Sequence, residues 1–303
     1  MGKRIAVIDL GTNTFNLLVA EITGPHSFIS VYNEKLPVKL GEGGINRGFI
    51  AEKAFHRGVQ AMENYAATVR DWKADEVMAF ATSAVRSASN GKEFVQTVKE
   101  KTGISITIIS GEEEAELICT GVRHAVKLSE EPSLIIDIGG GSTEFIIASR
   151  DKVFWKQSFE IGASRLLQKF EPSDPITEKE TAIVSAYLVD VLAPLWAAVQ
   201  QYNVHELVGA SGSFESLAEM VTLQFHKIPF DEKETEFEFD LDECAVVHRQ
   251  IMTSTRAQRL KMEGLISMRV DLIVVSALLV ELIIRRLGIT RMRLSTYALK
   301  EGV

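Results

Sequence analysis

The chain has 303 residues, 46% of them hydrophobic, with a formal charge of −8 and a pI near 5.4. That is enough apolar material for one large core or two ordinary ones, which excludes an intrinsically disordered chain. The acidic balance argues against a broad nucleic-acid footprint, because such binding runs on many Lys and Arg side chains neutralising phosphates.

From the N-terminus, Lys3 and Arg4 lead into a short apolar run that turns polar at Asp9, too early for the core of a signal peptide. Arg4 to Ile8 and Phe15 to Ile22 are β-branched runs joined by the polar turn Asp9-Leu10-Gly11-Thr12-Asn13-Thr14, which predicts a hairpin. A third strand is expected around Phe28 to Leu36, then a loop rich in glycine, then helical periodicity from Ala51 to Trp72. Strands follow at Glu76 to Ala81 and Ile104 to Ile109, with a helix over Lys92 to Thr102 that stops at Gly103. Alternating strand and helix indicate an α/β layer structure. Cys119 and Cys244 are far apart and form no C-x-x-C pair, so neither a disulfide framework nor a zinc site is expected. Reduced thiols fit a cytoplasmic location.

Farther on, Thr177 to Tyr202 reads as one long amphipathic helix, followed by a strand over Glu206 to Gly209, the turn Ala210-Ser211-Gly212-Ser213, and a helix to Gln224. Lys227 to Asp242 is charged and reads as a surface excursion. Helices over Leu241 to Thr255 and Asp271 to Leu287, a strand over Met292 to Ser295 and a closing helical turn complete the chain. The apolar stretch Leu272 to Ile284 is short for a bilayer and interrupted by Glu281, so a buried helix is expected and no membrane association.

An internal repeat is the most informative feature. Asp9-Leu10-Gly11-Thr12-Asn13-Thr14 aligns with Asp137-Ile138-Gly139-Gly140-Gly141-Ser142: an aspartate, a glycine two on, a hydroxyl five on, and apolar runs on both sides. One unit used twice, a domain length apart, predicts two similarly built domains facing each other. A strand ending in aspartate and running into a glycine turn with hydroxyls suits phosphate, since glycines let backbone N–H groups approach an anion. A single such turn is usually only a hairpin; two matched copies favour function. No G-x-x-x-x-G-K-S/T sequence occurs, so a P-loop is excluded.

Carboxylates cluster at these turns. Asp9, Asp137 and Glu144 are hard oxygen donors of the kind that hold Mg²⁺ jointly with substrate phosphates. In Ser110-Gly111-Glu112-Glu113-Glu114-Ala115-Glu116, Ser110 with Glu113 forms a capping box, Glu112 suits the positive helix end and Glu116 suits solvent. Glu114 stands three and four residues before Leu117 and Ile118, on the inward face, which makes it a candidate general base. Arg86, just after a strand, could clamp a terminal phosphate, although an arginine on a helix is more often solvated. Lys35, Lys39 and Arg47, and the later cluster Arg285, Arg286, Arg291 and Arg293, are read by default as solvated surface.

With these motifs in view, the chain resembles the exopolyphosphatase and guanosine pentaphosphate phosphatase (Ppx/GppA) family. The segments that carry the resemblance, in family order, are VIDLGTNTFNLLVAEI, ATSAVRSASNG, IISGEEEAELICTGV, LIIDIGGGSTEFII, LVGASGSFESLA and RLSTYALKEGV. The resemblance implies two actin-like, ribonuclease H-like α/β domains with the active site in their cleft: 1–125, with 296–303 returning to it, and 126–295. It implies hydrolysis of the terminal phosphoanhydride of polyphosphate or guanosine pentaphosphate with Mg²⁺ as cofactor, and a homodimer is compatible with it. By motif position Glu114 matches the base that activates water, and Asp137 and Glu144 match the acidic magnesium ligands. Asp9, Gly11, Thr12, Asn13, Thr14 and Arg86 match the terminal-phosphate region, and Gly139, Gly140, Gly141 and Ser142 the second phosphate loop. Gly209, Ser211 and Gly212 form a third glycine turn that is also assigned to phosphate binding; under the kinase or ATPase reading it sits where such proteins hold adenosine. The first turn reads DLGTNT where the family commonly has DLGSNS, and the chain ends without the helical C-terminal domain of longer members. Two rivals remain: a kinase or ATPase of the same fold, and a non-catalytic sensor of guanosine tetraphosphate or polyphosphate.

Overall fold

A computed structural model of the chain describes residues 2–25, 27–210, 212–231 and 233–303. The first hairpin forms because apolar side chains alternate along both of its strands. In β1 (Arg4–Leu10) and β2 (Phe15–Gly24), Ala6, Ile8 and Leu10 lie opposite Val19, Leu17 and Phe15, so all six share one buried face. Next in the chain are β3 (Ser27–Leu36), α1 (Glu52–Asp71), β4 (Glu76–Ala81), α2 (Ser83–Arg86), α3 (Gly91–Thr102) and β5 (Ile106–Ile108). They build a sheet of order β3-β2-β1-β4-β5, with β1, β4 and β5 parallel. Helix α1 lays Met62, Tyr65 and Val69 on this core, and the Tyr65 hydroxyl donates to the Phe15 carbonyl at 2.8 Å. Helix α3 ends at Gly103, whose φ of 77° is the left-handed value glycine adopts without strain.

The remaining elements are α4 (Gly111–Ala125), β6 (Ser133–Ile138), β7 (Thr143–Ala148), β8 (Val153–Phe159), α5 (Ala163–Phe170), α6 (Glu178–Val191), α7 (Ala193–Val199) and β9 (Glu206–Ala210), then α8 (Gly212–Val221), β10 (Glu236–Phe239), α9 (Leu241–Thr253), α10 (Arg256–Arg259), α11 (Ile273–Leu287), β11 (Arg291–Ser295) and α12 (Leu299–Gly302). Their sheet runs β10-β11-β9-β6-β7-β8. Read from the other edge, β8-β7-β6-β9-β11 repeats β3-β2-β1-β4-β5: an antiparallel meander whose first strand is extended by two parallel strands. The repeat foreseen from two six-residue turns is therefore a repeat of whole sheets, and the fold is actin-like. Strands β6 and β7 are buried along their whole length and pack Leu134, Ile136, Phe145 and Ile147 into the second core, where each such side chain contributes roughly 1.5–3 kcal/mol.

Residues up to Glu114, with 139–141 and 303, form one compact unit; 115–138 and 142–302 form the other. The division expected at 125/126, with 296–303 returning to the first domain, differs from this grouping. Helices α4 and α12 pack closely enough that a Cβ on Gly121 would lie 2.1 Å from the Ala298 carbonyl oxygen, and one on Gly302 would lie 1.9 Å from that of Leu117.

Three expectations need correction. Thr177 to Tyr202 is two helices, α6 and α7, bent by 63°, because Pro194 in the first turn of α7 cannot donate its backbone nitrogen to the preceding helix. The charged Lys227 to Asp242 excursion contains β10, whose Glu-Phe-Glu-Phe alternation turns Phe239 into the core and Glu236 and Glu238 toward Arg293 and Arg291. Arg293 is thus not solvated surface; it is 4% exposed and bridges Glu206 at 2.8 Å and Glu236 at 3.1 Å. Both cysteines are free and buried. Among the described residues no single helix is long and apolar enough to cross a membrane.

Candidate active site

Asp9 is the penultimate residue of β1, opposite Asn16, whose Nδ2 donates to its carboxylate at 2.9 Å. The turn beyond it closes through the Gly11 N–H, which donates to the Thr14 carbonyl at 3.1 Å. Gly11 has to be glycine, since a Cβ there would stand 2.7 Å from that same oxygen. The glycine-rich loop braces the turn from outside, with Lys39 N–H donating to Asn13 O at 2.8 Å and Gly41 N–H to Thr12 O at 3.0 Å. Thr12 is consequently buried, while Asn13 and Thr14 stay partly open.

β4 lies parallel to β1, so its end delivers α2 beside this turn, and Thr82 N–H donates to Leu10 O at 3.4 Å. From α2, Arg86 Nη1 donates to Glu114 Oε2 at 2.8 Å and to the Ile109 carbonyl at 3.1 Å. Glu114 is 7% exposed, so the inward orientation expected from its spacing is the one it adopts. Its neighbours also behave as expected. Ser110 N–H donates to Glu113 at 2.7 Å and Glu113 N–H to the Ser110 hydroxyl at 3.2 Å, completing the capping box, and these bonds hold the Glu113 carboxyl below its ordinary pKa. Glu112 and Glu116 face solvent.

The second glycine turn, Gly139–Gly141, groups with the first unit and meets the first turn there. A Cβ on Gly140 would lie 2.5 Å from Asn13 Nδ2, and one on Gly141 would lie 2.6 Å from Thr12 Oγ1 and 2.6 Å from Ser83 Oγ. The absence of side chains at 140 and 141 is therefore what lets the two turns touch. Gly139 is partly open and Ser142 is buried.

In the second unit, Asp137 and Glu144 stand directly opposite each other on β6 and β7, both nearly buried at 8% and 1% exposure. Directly opposed residues share a face, so the two carboxylates are side by side. Glu144 also accepts from the Ser158 hydroxyl of β8 at 2.7 Å, and Asp137 lies opposite Ala210 on β9. Like charges in a buried row are unfavourable without a cation, and a pair of oxygen donors suits Mg²⁺, which keeps waters and takes its remaining ligands from phosphate. Among the described residues there is no group of three or more His, Cys, Asp or Glu able to hold a metal. The residues present thus fit magnesium shared with substrate.

The glycines of the third turn are closely packed. A Cβ on Gly209 would lie 2.1 Å from the Phe214 ring, and one on Gly212 would lie 1.5 Å from Arg269 Nη2. Ser211 lies outside the described residues. Burial lowers the pKa of Arg269, while the charges of Glu215 and Asp137 oppose that shift, so this guanidinium sits within electrostatic reach of Asp137. Ser83, Ser158 and Arg269 are the residues that reading the sequence missed. Ser83 stands in the ATSAVR segment three before Arg86 and could have been found there; the other two enter through strand register and tertiary packing and carry no local signal.

With this geometry in place, comparison with known proteins is informative. The model of a family described as the Ppx/GppA phosphatase family matches residues 18–303. An exopolyphosphatase from Cytophaga hutchinsonii is 40% identical, with a TM-score of 0.95 over 99% of this chain and 96% of that one. The Ppx/GppA family member from Aquifex aeolicus is 24% identical, with a TM-score of 0.81 over 99% and 95% of the two chains, and shares the fold.

Proposed function

Because the chain belongs to the Ppx/GppA phosphatase family, we propose that it removes the terminal phosphate of inorganic polyphosphate by magnesium-assisted attack of water. Polyphosphate is placed first because the 40%-identical relative is an exopolyphosphatase; guanosine pentaphosphate is the second substrate of this reading. The observation that carries it is Glu114, a nearly buried carboxylate whose Oε2 is held by Arg86 at 2.8 Å.

Glu114 takes the proton as water attacks the terminal phosphorus. The bridging P–O bond breaks, and orthophosphate leaves a chain shorter by one unit. Thr12, Asn13 and the N–H groups of Gly139–Ser142 bind the terminal phosphate oxygens, where negative charge gathers in the transition state. Asp137 and Glu144 would hold magnesium, which when bound would neutralise phosphate charge and help to orient the substrate. Arg86 acts first on the base, fixing its rotamer so that its proton-accepting oxygen is always presented the same way.

Orthophosphate release should be measured in parallel from short polyphosphate, long polyphosphate, guanosine pentaphosphate and ATP, with and without magnesium. Release from polyphosphate that disappears on chelating magnesium is expected. Release from ATP alone would select the kinase or ATPase reading, and tight binding without release from any of the four would select the sensor.

A further inference from the structure

Ser83 follows β4 directly and is the first residue of α2, yet it is only 2% exposed. It is not a helix cap, since Thr82 holds that position and makes no side-chain capping bond. What Ser83 faces is Gly141: a Cβ there would fall 2.6 Å from Ser83 Oγ, 2.9 Å from Ser83 Cβ and 2.6 Å from Thr12 Oγ1. The backbone of the second glycine turn is therefore seated against two hydroxyl side chains, one from each of the segments that follow β1 and β4. Three residues along α2 is Arg86, which holds Glu114 at 2.8 Å. One short helix thus carries a residue against the phosphate turn and a residue bonded to the base.

We propose that Ser83 is a positioning residue: with Thr12 it seats Gly141, and through α2 it sets the spacing between the N–H groups of the turn and the carboxylate of Glu114. The second half rests on the hydrolytic reading above. A turn displaced by about 1 Å no longer presents its N–H groups to the oxygens that gain charge, a misplacement that costs about 10²-fold in rate. Binding of the ground state depends on many phosphate contacts and is affected less. Loss of the Ser83 hydroxyl should therefore fall on kcat and not on KM.

The test is Ser83→Ala in the full chain, read by amide hydrogen exchange of 139–142 and by steady-state orthophosphate release. Exchange at 139–142 is expected to quicken at least about tenfold while β4 and α3 are unchanged, with kcat down about 10- to 100-fold and KM within about threefold. Thr12→Val, which keeps the shape of the side chain and removes its hydroxyl, should quicken exchange at the same four residues and serves if the alanine variant does not fold. Unchanged exchange at 139–142 would show that Ser83 does not seat the turn, whatever the protein hydrolyses. Faster exchange with kcat intact would overturn the link to Glu114. Faster exchange in a chain whose wild type releases no orthophosphate would uphold the seating and sink the hydrolytic reading instead.

Discussion

A carboxylate that must take a proton from water works best when it is shielded from bulk solvent and held in one orientation. Glu114 meets both requirements, at 7% exposure and with one oxygen on Arg86. Its direction could be read from Leu117 and Ile118 one turn further along the same helix, because helical spacing is local information. Its partner could not: Arg86 is 28 residues away, and the two meet only because β4 and β5 lie side by side and each opens into a helix at the same edge. Arg86 makes both bonds from Nη1, at the end of a planar, delocalised group whose reach and orientation a lysine ammonium on a flexible stem does not reproduce. Arg86→Lys is therefore expected to lower kcat about 10- to 100-fold while circular dichroism and melting temperature stay near wild type. Full activity in that variant would show that charge alone suffices at this position.

Elements were legible wherever their signals were local. The first hairpin, α1, β4, α3 and its stop at Gly103 all fall within a few residues of expectation, since period-2 and period-3.6 patterns and a left-handed glycine need no tertiary information. The misses have the same physics turned round. In β10 the short Glu-Phe-Glu-Phe alternation was outweighed by the charge around it, and its glutamates are accommodated only because β11 supplies arginines. The N-terminus of α6 offers a test at this scale. Glu180 accepts from the hydroxyls and N–H groups of Ser173 and Thr177, which lowers its pKa from 4.5 to about 2 in the folded chain. A folded pKa below the unfolded one contributes stability that is fully present above pH 4.5 and fades as pH falls toward 2. Melting temperatures of wild type and Glu180→Gln should thus differ most near neutrality and converge near pH 2. A gap that stayed constant with pH would mean that the carboxylate charge is not what caps the helix.

At the scale of the whole molecule, two short turns disclosed a duplication that extends over two sheets of matching strand order. The reason is physical: each turn has an aspartate near the end of a first strand and glycine where a side chain would clash, and that demand falls on residues a few positions apart. Helix α4 runs through the change of unit and α12 packs against its later turns, contacts that depend on glycines far from one another in the chain and carry no local signal. The hydrolytic reading converges on a single group, so the most direct measurement is magnesium-dependent orthophosphate release from polyphosphate by wild type and by Glu114→Gln. The glutamine keeps the shape and an oxygen that can still accept from Arg86, but it carries no charge and cannot take a proton from water. A drop of about 10²- to 10⁴-fold in kcat, with polyphosphate binding retained, is the expected result. Turnover above roughly a tenth of wild type would contradict it and require another base.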